Sequence, residues 1–64
     1  MAQSLSPREA EIMRYVARGL TNRDIAARFA TSPDTVRKQR HNAIRKIGAR
    51  NAPHAVAILL GRAA

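Results

Sequence analysis

All three prolines in this 64-residue chain follow a Ser or Asn by one or two positions, in Ser6-Pro7, Ser32-Pro33 and Asn51-Ala52-Pro53. Proline suits the first turn of a helix, where its missing N–H is not needed, and Ser or Asn just before it caps the free amides. This punctuation predicts helix starts at 7, 33 and about 52. Glu9 stands three residues after Ser6 and completes a capping box. Thr21 and Asp24 repeat the arrangement and start a further helix at 22, with Leu20 and Ile25 flanking the cap as a hydrophobic staple. Gly19 and Gly48 mark helix ends, because glycine readily adopts the left-handed cap conformation. No strand signal lies between these segments. The expectation is an all-α, compact four-helix domain over residues 1–64, with its core at about 5–60 and residues 61–64 frayed.

Apolar periodicity orients the helices. Ala10, Met13, Val16, Ala17 and Leu20 recur at helical spacing in the first, and Ile25, Ala26 and Phe29 in the second. Met13, Tyr15 and Phe29 are each expected to be core or half-buried residues. In the third, Val36, Ala43, Ile44 and Ile47 fall within an arc about 100° wide. Arg37, Lys38, His41 and Arg45 lie opposite. Arg40 stands at the edge of the apolar arc, where its stem can pack while its guanidinium reaches outward. In the fourth helix, Ala55, Val56, Ile58, Leu59 and Leu60 are more apolar than one buried face requires.

Twelve Lys and Arg oppose four Asp and Glu, for a formal charge of +8. Residues 34–46 carry +4 of it. A basic face concentrated on a small domain suits a polyanion, although a merely solvated face is the plain alternative. A membrane surface is a poorer partner, since the chain has no Trp, one Phe and one Tyr to set opposite the charge. No apolar run approaches the roughly 18 residues of a membrane span, and Met1-Ala2-Gln3-Ser4 lacks signal-peptide features. The absence of cysteine removes disulfides and thiolate metal sites and fits a reducing compartment. The expected location is the cytoplasm, at the nucleoid. An enzyme is not expected. Glu9, Glu11, Asp24 and Asp34 are explained by caps and first turns, and no nucleophile–base pair or phosphate loop is visible. His41 and His54 lack spacing-matched metal ligands, so neither metal nor cofactor is expected.

Two helices joined by a tight turn, the second basic outside and apolar inside, form the signature of a helix-turn-helix reader. The ordered strings Leu5-Ser6-Pro7-Arg8-Glu9, Gly19-Leu20-Thr21-Asn22-Arg23-Asp24-Ile25-Ala26, Thr35-Val36-Arg37, Asn42, Lys46-Ile47-Gly48, Arg50-Asn51 and Ala55-Val56 resemble the LuxR/GerE-type DNA-binding domain. The resemblance covers about residues 5–60. It implies a four-helix unit whose third helix enters the major groove of duplex DNA, with the fourth helix often pairing two copies on an inverted repeat. It implies base-edge contacts from Arg37, Lys38 and His41, and phosphate contacts from Asn22, Arg23, Thr35, Gln39 and Lys46. Arg45, on the basic face, is expected to act with Lys46 as a phosphate clamp.

Gln39, Arg40, Ala43 and Ala49 depart from the residues usual in that family, His, an apolar residue, Ile and Val respectively. The family's domain usually ends a response regulator or quorum-sensing receptor. These 64 residues hold no receiver or ligand-binding domain, so a stand-alone effector and a domain of a longer protein both remain open.

The expected function is transcription regulation through sequence-specific DNA binding as a homodimer, with Val56, Ile58 and Leu59 as the dimer contact. A larger LuxR-type regulator and RNA polymerase are further candidate partners. The alternative is a short interaction protein that pairs through its fourth helix with a full-length LuxR-type regulator. A promoter-contacting region of a sigma-like factor shares the helix-turn-helix, but the string at 19–26 disfavours it.

Overall fold

The computed structural model describes residues 4–61, apart from the side chains of Leu60 and Gly61; the expectation that the C-terminus frays falls mostly on 62–64, outside the described residues. Four α-helices follow one another: α1 (Pro7–Ala17), α2 (Asn22–Phe29), α3 (Pro33–Ile47) and α4 (Ala52–Val56). A single π-helical turn, Ala57–Gly61, continues α4 and was not foreseen from the sequence. No strand occurs among the described residues, and no helix is long and apolar enough to cross a membrane.

The predicted caps form as hydrogen-bonded structures. Ser6 Oγ accepts from the Glu9 N–H at 3.1 Å, while the Ser6 N–H donates to Glu9 Oε1 at 2.9 Å. Thr21 and Asp24 make the same reciprocal pair at 3.1 and 3.0 Å. Ser32 Oγ accepts from the Thr35 N–H at 3.1 Å, and Asn51 Oδ1 accepts from the His54 N–H at 2.8 Å. At the end of α1, Gly19 sits at φ +89°, and the Leu20 N–H turns back to the Tyr15 carbonyl. Gly48 closes α3 in the same way, with the Ala49 N–H on the Ile44 carbonyl. At each helix start the cap side chain thus takes up the third-residue amide, and at the ends of α1 and α3 the turned-back N–H groups take up carbonyls that the helix leaves free.

The core has two lobes. One joins Ile12, Ile25, Ala26 and Val36, with Tyr15, Leu20 and Phe29 packed around them. The other joins Met13, Ala43 and Ala55, flanked by Leu5, Ile44, Ile47, Ala49 and Val56. Val16 touches both. The buried stripe of α1 differs from the sequence-based expectation. It runs through Glu9, Ile12 and Met13 to Val16, while Ala17 is exposed. The charge of Glu9 masked the true face, because a carboxylate in the stripe breaks the apolar period while its partners allow it to be buried. In α3, Val36 and Ala43 are buried, with Ile44 and Ile47 half-buried beside them, which turns the opposite face of that helix to solvent.

Candidate nucleic-acid interface

The segment from Thr21 to Ile47 is a helix, a two-residue turn, a cap and a longer helix. Ala30 makes the turn possible by adopting φ +54° and ψ +45°, and the Thr31 N–H returns to the Ala26 carbonyl at 3.0 Å. The chain thereby reverses sharply after Phe29. Ile25 and Ala26 of α2 then share one cluster with Val36 of α3, so both helices are held by the same side chains.

With Val36 and Ala43 locked inward, α3 exposes Thr35, Arg37, Lys38, His41, Asn42 and Arg45. Arg37, Lys38, His41 and Arg45 thus share one face, as the periodicity predicted. Thr35 is tied to the helix start, its hydroxyl 2.9 Å from that of Ser32. Arg23 is exposed on α2. Asn22 lies beside it and accepts a hydrogen bond through Oδ1 from Arg40 Nη1 at 3.0 Å. That bond spans α2 and α3, and the Arg40 guanidinium ends on a protein oxygen rather than free in solvent as expected. Its stem also borders a shallow hollow with Val16, Ala17, Ala52, Pro53 and Val56.

Two expected phosphate contacts sit differently from their neighbours. Lys46 is only 31% exposed and holds Glu9, with Nζ 2.8 Å from Oε1 and 3.1 Å from Oε2. Its charge is directed to α1. Gln39 is half-buried, and its buried Oε1 has no partner among the described residues.

The electrostatics of the face were only partly visible in the sequence. Asp34, explained there by its place in a helix's first turn, receives Arg37 Nη2 at 2.6 Å and Lys38 Nζ at 3.6 Å. The hydrogen bond from Arg37, followed by the charges of Arg37 and Lys38, holds its carboxyl below the ordinary value of 3.8. The spacing of three and four residues was the available signal. A second basic group, on α1 and α2, was missed altogether. The Arg8 guanidinium lies 4.1 Å from the Phe29 ring centroid and that of Arg28 lies 5.2 Å from the Tyr15 centroid. The two rings meet edge to face at 5.8 Å. No cluster of three potential metal ligands occurs among the described residues.

In α4 and the π-helical turn that continues it, Val56 and Ile58 are half-buried and Leu59 is 42% exposed, the one large hydrophobic residue so exposed among the described residues. Val56 packs on the second core lobe.

Comparison with known proteins agrees with this architecture. The GerE family, described as bacterial regulatory proteins of the luxR family, matches residues 3–59. The transcriptional regulatory protein FixJ of Rhizobium meliloti (strain 1021) is 40% identical over 58 residues, which cover 91% of this chain and 28% of FixJ. A putative HTH-type transcriptional regulator of Mycobacterium bovis, Mb0914c, is 42% identical over 45 residues, 70% of this chain and 5% of that protein. The chain therefore spans less than a third of the length of these relatives. By its caps, its helix-turn-helix and its match across nearly all residues, the chain belongs to the luxR family of bacterial regulatory proteins, a family of helix-turn-helix DNA binders.

Proposed function

We propose that this unit regulates transcription by reading duplex DNA with α3. The observation that carries the reading is the division of that helix: its apolar residues pack into the two core lobes, Val36 and Ala43 buried and Ile44 and Ile47 half-buried, while its exposed side carries Arg37, Lys38, His41 and Arg45. Fifteen residues make a rod about 22 Å long, and a major groove about 12 Å wide admits it. Arg37, Lys38 and His41 contact base edges. Asn22, Arg23, Thr35, Gln39 and Arg45 contact phosphates, supported by the free amides at the start of α2. Lys46 contributes chiefly by tying α3 to α1, and only secondarily as a phosphate contact. Two copies sit on an inverted repeat through Val56, Ile58 and Leu59. RNA polymerase and a longer LuxR-type regulator are further partners on this reading.

The test is selection of bound sequences from random duplexes, followed by affinity measurement across salt. A preferred sequence should emerge, and log K should fall with log salt by about 0.9 for each phosphate contacted. Arg37→Ala should relax the preference at one base pair, with a cost of roughly 1–3 kcal/mol on the best site. A flat salt response would remove nucleic acid as the ligand. The exposed Leu59 favours one second reading, an interaction protein that pairs with a longer family member. A stable mixed complex without any duplex preference would establish it.

A further inference from the structure

The acidic residues that open the first three helices do different work. Glu9 and Asp24 each close a capping box. Asp34 caps nothing, because Ser32 and Thr35 complete the start of α3 between them. Asp34 instead lies between two of the three side chains assigned to base edges, in contact with Arg37 and Lys38. It is the only acidic residue of α3. All three side chains are more than 60% exposed, and ion pairs so exposed add little to folding stability. A carboxylate on a face otherwise suited to phosphate calls for a role in what that face recognises.

We propose that Asp34 is a specificity-determining residue of the DNA interface, which orients Arg37 toward a base edge and suppresses binding to phosphate alone. The inference rests on α3 being the base-reading helix. A guanidinium has five N–H donors in a rigid fork. Asp34 accepts from Nη2, and the remaining donors stay available for a bidentate contact with guanine O6 and N7. The side chain is then held before binding and loses less freedom on contact. Binding to arbitrary sequence depends on cation count. There the carboxylate competes with phosphate for Arg37 and Lys38 and repels phosphates well within the screening length of about 10 Å. In the groove the same carboxylate keeps its bond from Arg37, and its remaining lone pairs favour an exocyclic amino group, such as that of cytosine. The penalty on arbitrary DNA thereby becomes discrimination.

The experiment compares wild type, Asp34→Asn, Asp34→Ala, Arg37→Ala and the double variant Asp34→Ala/Arg37→Ala. Each is titrated with the selected duplex and a random duplex over a range of salt, with circular dichroism melts as the folding control. Asp34→Asn, which removes the charge but keeps an acceptor, should tighten random-duplex binding about threefold to tenfold and steepen the salt slope by about one. Asp34→Ala should in addition lower the ratio of selected to random affinity about tenfold and relax the same base pair as Arg37→Ala. In the Arg37→Ala background, loss of Asp34 should change that ratio by less than about twofold. Equal gains on both duplexes, an unchanged ratio, or an effect undiminished without Arg37 would each overturn the proposal while leaving DNA reading by α3 intact. A wild type without sequence preference would overturn both.

Discussion

Glu9 is 7% exposed yet charged, because two donor groups give it three hydrogen bonds: the Ser6 N–H bonds Oε1, and Lys46 Nζ bonds both carboxylate oxygens. The hydrogen bond from Lys46, then that from the Ser6 backbone, holds its carboxyl below the ordinary value of 4.5. The pair is asymmetric. Lys46→Ala leaves a carboxylate at a buried position with one donor, and should cost about 1–3 kcal/mol. Glu9→Gln keeps the capping box, and Lys46, at 31% exposure, can turn to water; its cost should stay under about 1 kcal/mol. Urea denaturation at neutral pH measures both, and equal losses would mean that the pair does not govern this end of α1. Acid provides a second check. A depressed folded-state pKa stabilises the fold above the unfolded value and loses that contribution as pH falls through the folded value. The stability advantage of wild type over Glu9→Gln should therefore shrink below about pH 4.5, while Asp24 and Asp34 titrate in both proteins and cancel in the difference.

Three helices end on a left-handed residue, and at two of them it is glycine. The end of α2 uses Ala30 at φ +54°, a conformation that costs an L-residue roughly 1–2 kcal/mol. The sequence places the end of the helix at Phe29 and the turn at Ala30 and Thr31, but an alanine gives no sign of the left-handed conformation on which the angle between α2 and α3 depends. Ala30→Gly removes that strain and adds backbone freedom to the unfolded chain, for a net stabilisation of about 0.5 kcal/mol. The melting temperature should rise by about 2–4 °C. A fall would show that the turn is not made this way. The helix starts and the ends of α1 and α3 were predictable from local chemistry, since Ser, Thr and Asn caps, first-turn prolines and the terminal glycines act on the backbone within four residues; the π-helical turn after α4 was not. Nor was the buried face of α1. Glu9 interrupts the apolar period, and its partner Lys46 lies 37 residues away.

A chain of 64 residues has a thin core, here divided between the two faces of α1 that carry Ile12 and Met13. One recognition helix contacts few base pairs, and two-fold pairing doubles the site. The half-buried Val56 and Ile58 and the exposed Leu59 are the surface proposed above for such pairing. Leu59→Glu should leave the melt unchanged but remove the gain in affinity when a second half-site is added about one helical turn away. If wild type gains nothing from the second half-site, this pairing fails. The sequence by itself determined the all-α class, the helix starts, the basic side of α3 and the family pattern, because each rests on near neighbours or on residues in one helix. Only the tertiary structure decided that Lys46 faces Glu9, that Arg40 holds Asn22 across two helices, and that Arg8 and Arg28 stack on Phe29 and Tyr15. Those pairings join residues far apart in the chain, and an exposed cation reads the same in sequence whether it meets water, a ring or a carboxylate. Tertiary packing alone brings the partner within reach.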